Sequence, residues 1–328
     1  MSLEVIKSGM ADTFQDAGRF GHQHVGINPN GAMDLIAMNV ANALAGNDFH
    51  EPVLELCFPA STLLCKKPSL IALSGANFTG EINGTPIPIN KTIAVPAGSE
   101  LNFKKTAQGV FGYLAVHGGF SLTFWLGSFS TNMKANAGGW KGRFLKKGDT
   151  IDFKKTVNNF NEIRVLPWRA NVSEFYSNPE IIRIIRGNEL AWLDESSKKK
   201  LAEGSFIITP LRDRMGYRLK GESLTRNNNR ELISTAATFG TVQLLPDGQL
   251  IILMADHQTT GGYPRVGQVI GADRSKLVQC AIGSEIKFYH VTIQEGEDLL
   301  ISQHKTLRQI QLTCADRLGE FLKSVHEY

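Results

Sequence analysis

The chain has 328 residues, 42% hydrophobic and 20% charged, a length that suggests about two domains with substantial cores. Its 35 basic and 31 acidic side chains leave a formal net charge of +4, too small for the dense positive field of a nucleic-acid binder. The longest apolar run, Leu250 to Ala255, is strand-sized, far below the roughly 18 residues of a membrane span, and the N-terminus lacks the apolar core of a signal peptide.

In chain order, the first regular element is a helix from Asp34 to Ala45. Met33, Ala37, Val40, Ala41 and Leu44 recur at helical spacing, and Gly46 follows as a C-cap. Short apolar runs between Gly, Asn, Asp and Pro turns then predict strands at Ile71–Leu73, Thr92–Val95, Tyr113–Val116, Ile181–Ile185, Phe206–Ile208, Leu250–Leu253 and Val266–Ile270. Lys198-Lys199-Lys200 reads as a solvated helix face. A C-terminal helix carries one apolar stripe of Leu307, Ile310, Cys314, Leu318, Phe321 and Val325, weakened at Gly319 by roughly 1 kcal/mol relative to alanine. Cys57, Cys65, Cys280 and Cys314 lie far apart with no C-x-x-C pair, which predicts four buried free thiols and no metal site, and with the absent leader points to the cytoplasm.

Many short strands with few helices between them define a mainly β chain of sandwiches or barrels. The sequence also echoes itself. Gly98-Ser99-Glu100-Leu101-Asn102-Phe103, Gly148-Asp149-Thr150-Ile151-Asp152-Phe153 and Gly283-Ser284-Glu285-Ile286-Lys287-Phe288 share one pattern, and Tyr113 to Gly119 matches Ile252 to His257 with Gly261-Gly262. Two echoes at offsets of about 135 to 140 residues predict two related β domains. The expected division is 1–158 and 159–292, meeting in the polar stretch Val157 to Asn161, with 293–328 as a helical extension.

Five segments hold the residues suited to chemistry. In Gln15 to His22, two glycines bracket Arg19 in a turn that can present a guanidinium to a carboxylate or phosphate, with Asp16 as local partner in the structural reading. Asn28 to Asp34 precedes a helix, whose exposed N–H groups hold an anion or are capped by Asn30 or Asp34. Gly127 to Thr131 and Gly138 to Arg143 combine the hydroxyls of Ser130 and Thr131 with Lys141 and Arg143, as an anionic pocket or a solvated loop. In Arg212 to Leu219, Asp213 is placed to orient Arg214 by an ion pair. Asp256 to Pro264 follows the most apolar strand: Asp256 is a base or holds a cation, and Thr259, Thr260, Gly261 and Gly262 are suited to an anion-binding nest. Nucleotide-loop, zinc-protease and nucleophile-elbow motifs do not occur.

At these segments the chain resembles the biotin-dependent carboxyltransferase-like family. The matching signatures are Gln15-Asp16 with Gly18-Arg19, Gly31-Ala32-Met33-Asp34 with Ala41-Asn42 and Gly46-Asn47, Gly127-Ser128 with Ser130-Thr131, Gly138-Gly139, Gly142-Arg143, and Asp213-Arg214-Met215-Gly216. Gln258-Thr259-Thr260-Gly261-Gly262-Tyr263-Pro264, followed by Ala272-Asp273, completes them in one order. The resemblance implies two tandem cyclophilin-like β-barrel domains with a few short helices and a C-terminal helix. Its implied reaction is the ATP-dependent ring opening of 5-oxoproline to L-glutamate by a 5-oxoprolinase. ATP, with Mg, would act through a complex with two partner chains, the KipI-like B component and the A component of that enzyme, with no biotin attached to this chain. Catalytic roles are expected of Asp213, Arg214 and Asp256. Substrate or anion contacts are expected of Arg19, Asp34, Ser130, Thr131, Arg143, Gln258, Thr259, Thr260, Gly261, Gly262 and Tyr263. The alternatives within the family are a biotin-dependent carboxyltransferase acting on urea or another amide, and a regulatory, KipA-like binder of a kinase inhibitor. The chain departs from the family pattern at Gly187-Asn188, Arg212 and Gly75-Ala76-Asn77, which bears on substrate more than on fold.

Overall fold

The computed structural model describes residues 2–157, 160–228 and 230–326, with the side chains of 325 and 326 left out. The boundary expected at Asn158-Asn159 and the side chain of Val325 therefore lie outside the described residues. The chain divides into two compact units: Met1–Arg19, Asn30–Val172 and Lys305–Tyr328 form one, and Phe20–Pro29 with Ser173–His304 the other.

The first unit is built on two sheets. One runs in the order Phe120–Ser121, Thr150–Phe153, Leu3–Lys7, Thr62–Cys65, Ser99–Phe103, Gly80–Ile82 and Thr85–Pro86. The other runs Arg164–Val165, Thr92–Val95, Ser69–Asn77, Gln108–Val116, Val53–Cys57 and Thr13–Gln15. Alternate residues of each sheet meet in one core: Leu3, Val5, Leu63 and Leu101 from the first, and Leu54, Leu56, Leu73 and Leu114 from the second. Phe14 and Phe120 pack edge-on across it with ring centroids 4.8 Å apart. Three edge strands are only two residues long, too short to carry a ladder round to the opposite edge.

The helix Leu35–Ala45 packs on Ser69–Asn77 and Gln108–Val116. Its ends are fixed locally, as the sequence requires: Asp34 accepts from the Ala37 N–H at 3.0 Å, and Gly46 closes it in a left-handed conformation.

The second unit holds a closed seven-stranded barrel: Ile181–Arg186, Arg265–Val269, Thr241–Leu244, Leu250–Leu253, Gly216–Lys220, Ser205–Arg212 and Glu285–His290. Six pairings are antiparallel, and the parallel pairing of Ile181–Arg186 with Glu285–His290 closes it. A two-stranded ribbon, Thr235–Ala236 with Thr260–Gly261, is a separate sheet, with Gly261 lying over Gln243 of the barrel wall. The mainly β class thus holds, and each predicted strand lies on an observed one. The barrel is closed in the second unit, while the first arranges its strands as two facing sheets.

The C-terminal helix Ile293–His326 begins with a capping box: Glu295 accepts from the Thr292 N–H at 2.7 Å, and Thr292 Oγ1 accepts from the Glu295 N–H at 3.2 Å. Of its apolar stripe, Leu307, Cys314 and Leu318 are buried, and Leu318 packs on Leu70, Ala94 and Leu166. The lysine run falls on the helix Glu195–Glu203. All four cysteines are free thiols, but only three are buried; Cys57, at a strand end, is half-buried. Burial pushes the Cys65 thiol up to about 12 and those of Cys280 and Cys314 to about 11. Among the described residues no helix is long and apolar enough to cross a membrane.

Candidate functional site

In the first unit, Asp16 organises the loop that carries Ser128, Ser130 and Thr131. Its carboxylate accepts from the hydroxyls of Ser128 and Ser130 and from the Phe129 N–H, each at 2.6 Å, and from the Gly18 N–H at 2.8 Å. The loop is therefore buried rather than solvated, with Ser128, Ser130 and Thr131 all at most 1% exposed. Arg19 is turned inward as well, at 1% exposure. Its Nη1 donates to Asn30 Oδ1 at 2.7 Å, its Nη2 to the Ser130 carbonyl at 2.5 Å, and its guanidinium lies 4.7 Å from the centre of the Trp125 ring. The local partner expected for Arg19, Asp16, instead serves the serine loop. Gly138 and Gly139 follow from this packing. Both have left-handed φ, and a side chain at Gly138 would overlap the Ser130 carbonyl, at Gly139 the Thr131 hydroxyl.

Asp34 is fully buried and its carboxylate caps its own helix, which is one of the two compatible readings of that segment. Its backbone N–H donates to the Tyr113 hydroxyl at 2.7 Å, which donates in turn to Glu55 at 2.8 Å; the Met33 N–H also donates to Glu55 at 2.8 Å. Burial, then the charges of Glu55 and Asp34, push the Tyr113 hydroxyl well above its ordinary value, so it remains a neutral donor. Nothing in the sequence signals this relay, because Tyr113 and Glu55 sit in strands whose pattern is apolar. Arg143 grips Asp149 in bidentate fashion at 2.7 and 2.8 Å and also donates to the Phe144 carbonyl. That makes it a clamp on its own turn, where an anion contact was expected.

In the second unit, Arg214 pairs with Asp256, not with its neighbour Asp213. Nε donates to Oδ2 and Nη2 to Oδ1, both at 2.9 Å. Asp213 instead accepts from the N–H groups of Met215 and Gly216 at 2.7 and 3.1 Å, closing the turn that starts the strand Gly216–Lys220. The expected Asp213–Arg214 ion pair is replaced: the Asp213 carboxylate is taken up by its own turn, and Asp256, in the turn just beyond the neighbouring strand Leu250–Leu253, reaches Arg214. Asn28 Nδ2 donates to the Asp256 carbonyl at 3.0 Å. Two further clamps went unread as such: Arg183 with Asp273, and Arg265 with Glu189.

Gln258 and Thr259 are half-buried, and Thr260, Gly262 and Tyr263 are exposed. The expected nest does not form among these residues. Thr260–Gly261 pairs with Thr235–Ala236, and neither Gly261 nor Gly262 has a left-handed φ. The buried residue beneath Gly261 is Gln243, in the strand Thr241–Leu244. Its only sign in the sequence is a polar residue between Val242 and Leu244. Among the described residues no group of three or more His, Cys, Asp and Glu could hold a metal ion.

A mainly β chain with a closed barrel and arginine–carboxylate clamps at its strand ends has the fold of a carboxyltransferase domain. The chain belongs to that family: the carboxyltransferase domain, subdomain A and B, matches residues 25–290. It is 34% identical over 311 residues to a protein named as the C subunit of 5-oxoprolinase from Escherichia coli (strain K12), covering 94% of this chain and 97% of the relative. It is 36% identical over 312 residues to one of the same name from Haemophilus influenzae, with the same coverage of 94% and 97%. The crystal structure of the K. lactis urea amidolyase superposes with a TM-score of 0.84 at 24% identity over 94% of this chain. The chain spans 20% of that protein, and the likeness is one of fold.

Proposed function

We propose that this chain is the C component of a 5-oxoprolinase, a complex that opens 5-oxoproline to L-glutamate in an ATP-dependent reaction. The observation that carries the proposal is the nearly end-to-end similarity to two proteins named as the C component of that enzyme. A lactam is resonance-stabilised, so its carbonyl must be activated before water attacks, which is the chemical reason for coupling to ATP. In this reading Arg214, oriented by Asp256, offers a fixed cation to the substrate carboxylate or to oxygen charge developing at the carbonyl. Asp256 holds that cation rather than acting as a base. Arg19 supports the serine loop from within, and Arg143 fixes the turn beside Gly142.

Among the described residues, the loops at Gly138-Gly139 and Gly261-Gly262 leave no open cradle for a nucleotide. The space at Gly138 and Gly139 is filled by Ser130 and Thr131, and Gly261 is engaged in the ribbon. In this reading the ATP and Mg requirement belongs to the complex with the A component and the KipI-like B component. Co-production with candidates for both, followed by a glutamate assay with 5-oxoproline and ATP, tests the proposal. Glutamate should form only when all three chains are present. A well-formed complex that makes none would overturn the reading in favour of amide carboxyl transfer or a regulatory role.

A further inference from the structure

Gln243 sits in the barrel strand Thr241–Leu244, between Val242 and Leu244. Those two neighbours are buried and pair in register with Ile252 and Leu250, while Gln243 pairs with Ile251. Strand alternation therefore sends Gln243 to the opposite face of the barrel wall from Val242 and Leu244. There it meets Gly261 of the ribbon. A Cβ built on Gly261 would lie 2.6 Å from Gln243 Nε2 and 3.4 Å from Gln258 Nε2. Gln243 is 1% exposed, yet neither its Oε1 nor its Nε2 has a hydrogen-bond partner among the described residues. The hydroxyl of Thr235, the residue paired with Gly261 across the ribbon, is likewise buried and unpartnered. A buried polar group left unpaired is costly, so a carboxamide with both ends unpartnered is not explained by packing alone. Convergent polar groups against an apolar wall are what a small polar ligand requires.

We infer that Gln243 reads an amide edge in the substrate. This rests on the function proposed above and adds the residue that recognises the scissile group. A carboxamide presents one acceptor and one donor side by side. Its complement is a group with N–H and C=O on the same edge, which is the geometry of a lactam and also of urea. The ligand N–H donates to Gln243 Oε1, and Gln243 Nε2 donates to the ligand carbonyl, with Gln258 Nε2 on the same side of Gly261. Entry requires the ribbon to lift from Gln243. Its strands are two residues each, a ladder short enough to open.

The test is Gln243→Met, which keeps the length of the side chain and removes both polar groups. Two probes are compared: 5-oxoproline, and the lactone analogue 5-oxotetrahydrofuran-2-carboxylate, in which ring oxygen replaces the lactam N–H. In the assembled complex the wild type should prefer lactam over lactone by at least about tenfold. The variant should lose that preference, raise the KM for 5-oxoproline by at least about tenfold and leave the KM for ATP unchanged. Its thermal midpoint should equal or exceed that of wild type, because replacing a buried unpaired amide by an apolar group removes a cost. A variant with a lowered midpoint and an intact lactam preference would overturn the inference and make Gln243 a structural amide. Ligand-observed NMR on the full chain alone, with 5-oxoproline and urea as probes, separates this from the functional reading. If the wild-type complex makes no glutamate but urea binds the wild type and not the variant, the oxoprolinase reading falls and amide recognition by Gln243 stands. Binding of neither amide to the wild-type chain or complex overturns the recognition itself.

Discussion

Arg214 and Asp256 are joined twice. Their side chains share two parallel hydrogen bonds at 2.9 Å, and the Asp256 backbone N–H donates to the Arg214 carbonyl at 2.7 Å. At 16% and 12% side-chain exposure the charges are largely, not wholly, withdrawn from water. Such a pair holds a guanidinium in one orientation at the end of a barrel strand, and its value lies more in that orientation than in stability.

Breaking the pair from either side should strip two charge-assisted hydrogen bonds from a charge that stays partly buried. We expect Arg214→Ala and Asp256→Ala each to cost about 2–3 kcal/mol, less than a fully buried pair. The double variant should be less destabilised than the two losses added, by at least about 1 kcal/mol. Denaturant titration of all four proteins measures this coupling; simple additivity would mean the two side chains act independently. Arg214→Lys should retain most of the stability and lose activity in the complex, since an ammonium cannot reproduce the bidentate geometry.

The Asp16 carboxylate accepts four hydrogen bonds, three of them from the segment Ser128–Ser130. Asp16→Ala leaves those donors unpaired, at an expected cost of about 2–4 kcal/mol. The loss should appear locally, as faster amide exchange at Phe129 and Ser130, while the core strand Gln108–Val116 keeps its protection. Ser128→Ala removes one donor to Asp16 and the acceptor of the Ser130 N–H, and should cost about 1–2 kcal/mol. Unchanged exchange at Phe129 in Asp16→Ala would show that the loop is held by something else.

Local chemistry made part of this readable from sequence. The helix Leu35–Ala45 has its cap residue and its terminating glycine next to it in the chain, and each apolar strand run announces itself. Partner choice was not readable. Arg19 is buried against Asn30, Ser130 and Trp125, of which Ser130 lies 111 positions away. Arg214 passes over the adjacent Asp213 for Asp256, 42 positions on, because strand pairing brings the two strand ends together. Arg143 turns the other way, to Asp149 six positions on. The side chain beneath Gly261 of the last signature segment, Gln243, lies outside every signature segment.

Two glycine-to-alanine changes should shift stability in opposite directions. Gly139 has φ +53, and a side chain there would overlap the Thr131 hydroxyl. Gly139→Ala should therefore cost more than about 2 kcal/mol, with partial recovery in combination with Thr131→Ala. Gly319, inside the C-terminal helix, has nothing within 4 Å of a built Cβ. Gly319→Ala should stabilise by up to about 1 kcal/mol. Thermal melts of the three variants decide the matter, and a destabilising Gly319→Ala would show that the helix needs its glycine.

The pH dependence of stability should carry two carboxylate signatures of opposite sign. Asp12 is 2% exposed; burial raises its carboxyl to about 6 against the hydrogen bonds from Ser61 and the Cys57 N–H, and the charge of Glu55 raises it further. Its folded form holds a proton more tightly than its unfolded form. The stability linked to it is thus full below the ordinary carboxyl value of 3.8 and is lost as pH rises through about 6, by about 3 kcal/mol at the limit. Asp149 runs the other way. Partial burial opposes the shift, but the Arg143 guanidinium and the Lys146 N–H outweigh it and lower the carboxyl to about 2. Its contribution is present above 3.8 and disappears as pH falls through about 2. Arg143→Ala should therefore lower the thermal midpoint at pH 7 and have little effect near pH 2. Asp12→Asn, which cannot titrate, should show a shallower fall in midpoint between pH 5 and 7 than wild type. His290, held below its ordinary value by burial and by Arg186, acts in the same window with the opposite sign, so the difference between variant and wild type is the quantity to read. Equal slopes in the two proteins would mean that ionising Asp12 does not limit the stability of the fold near neutral pH.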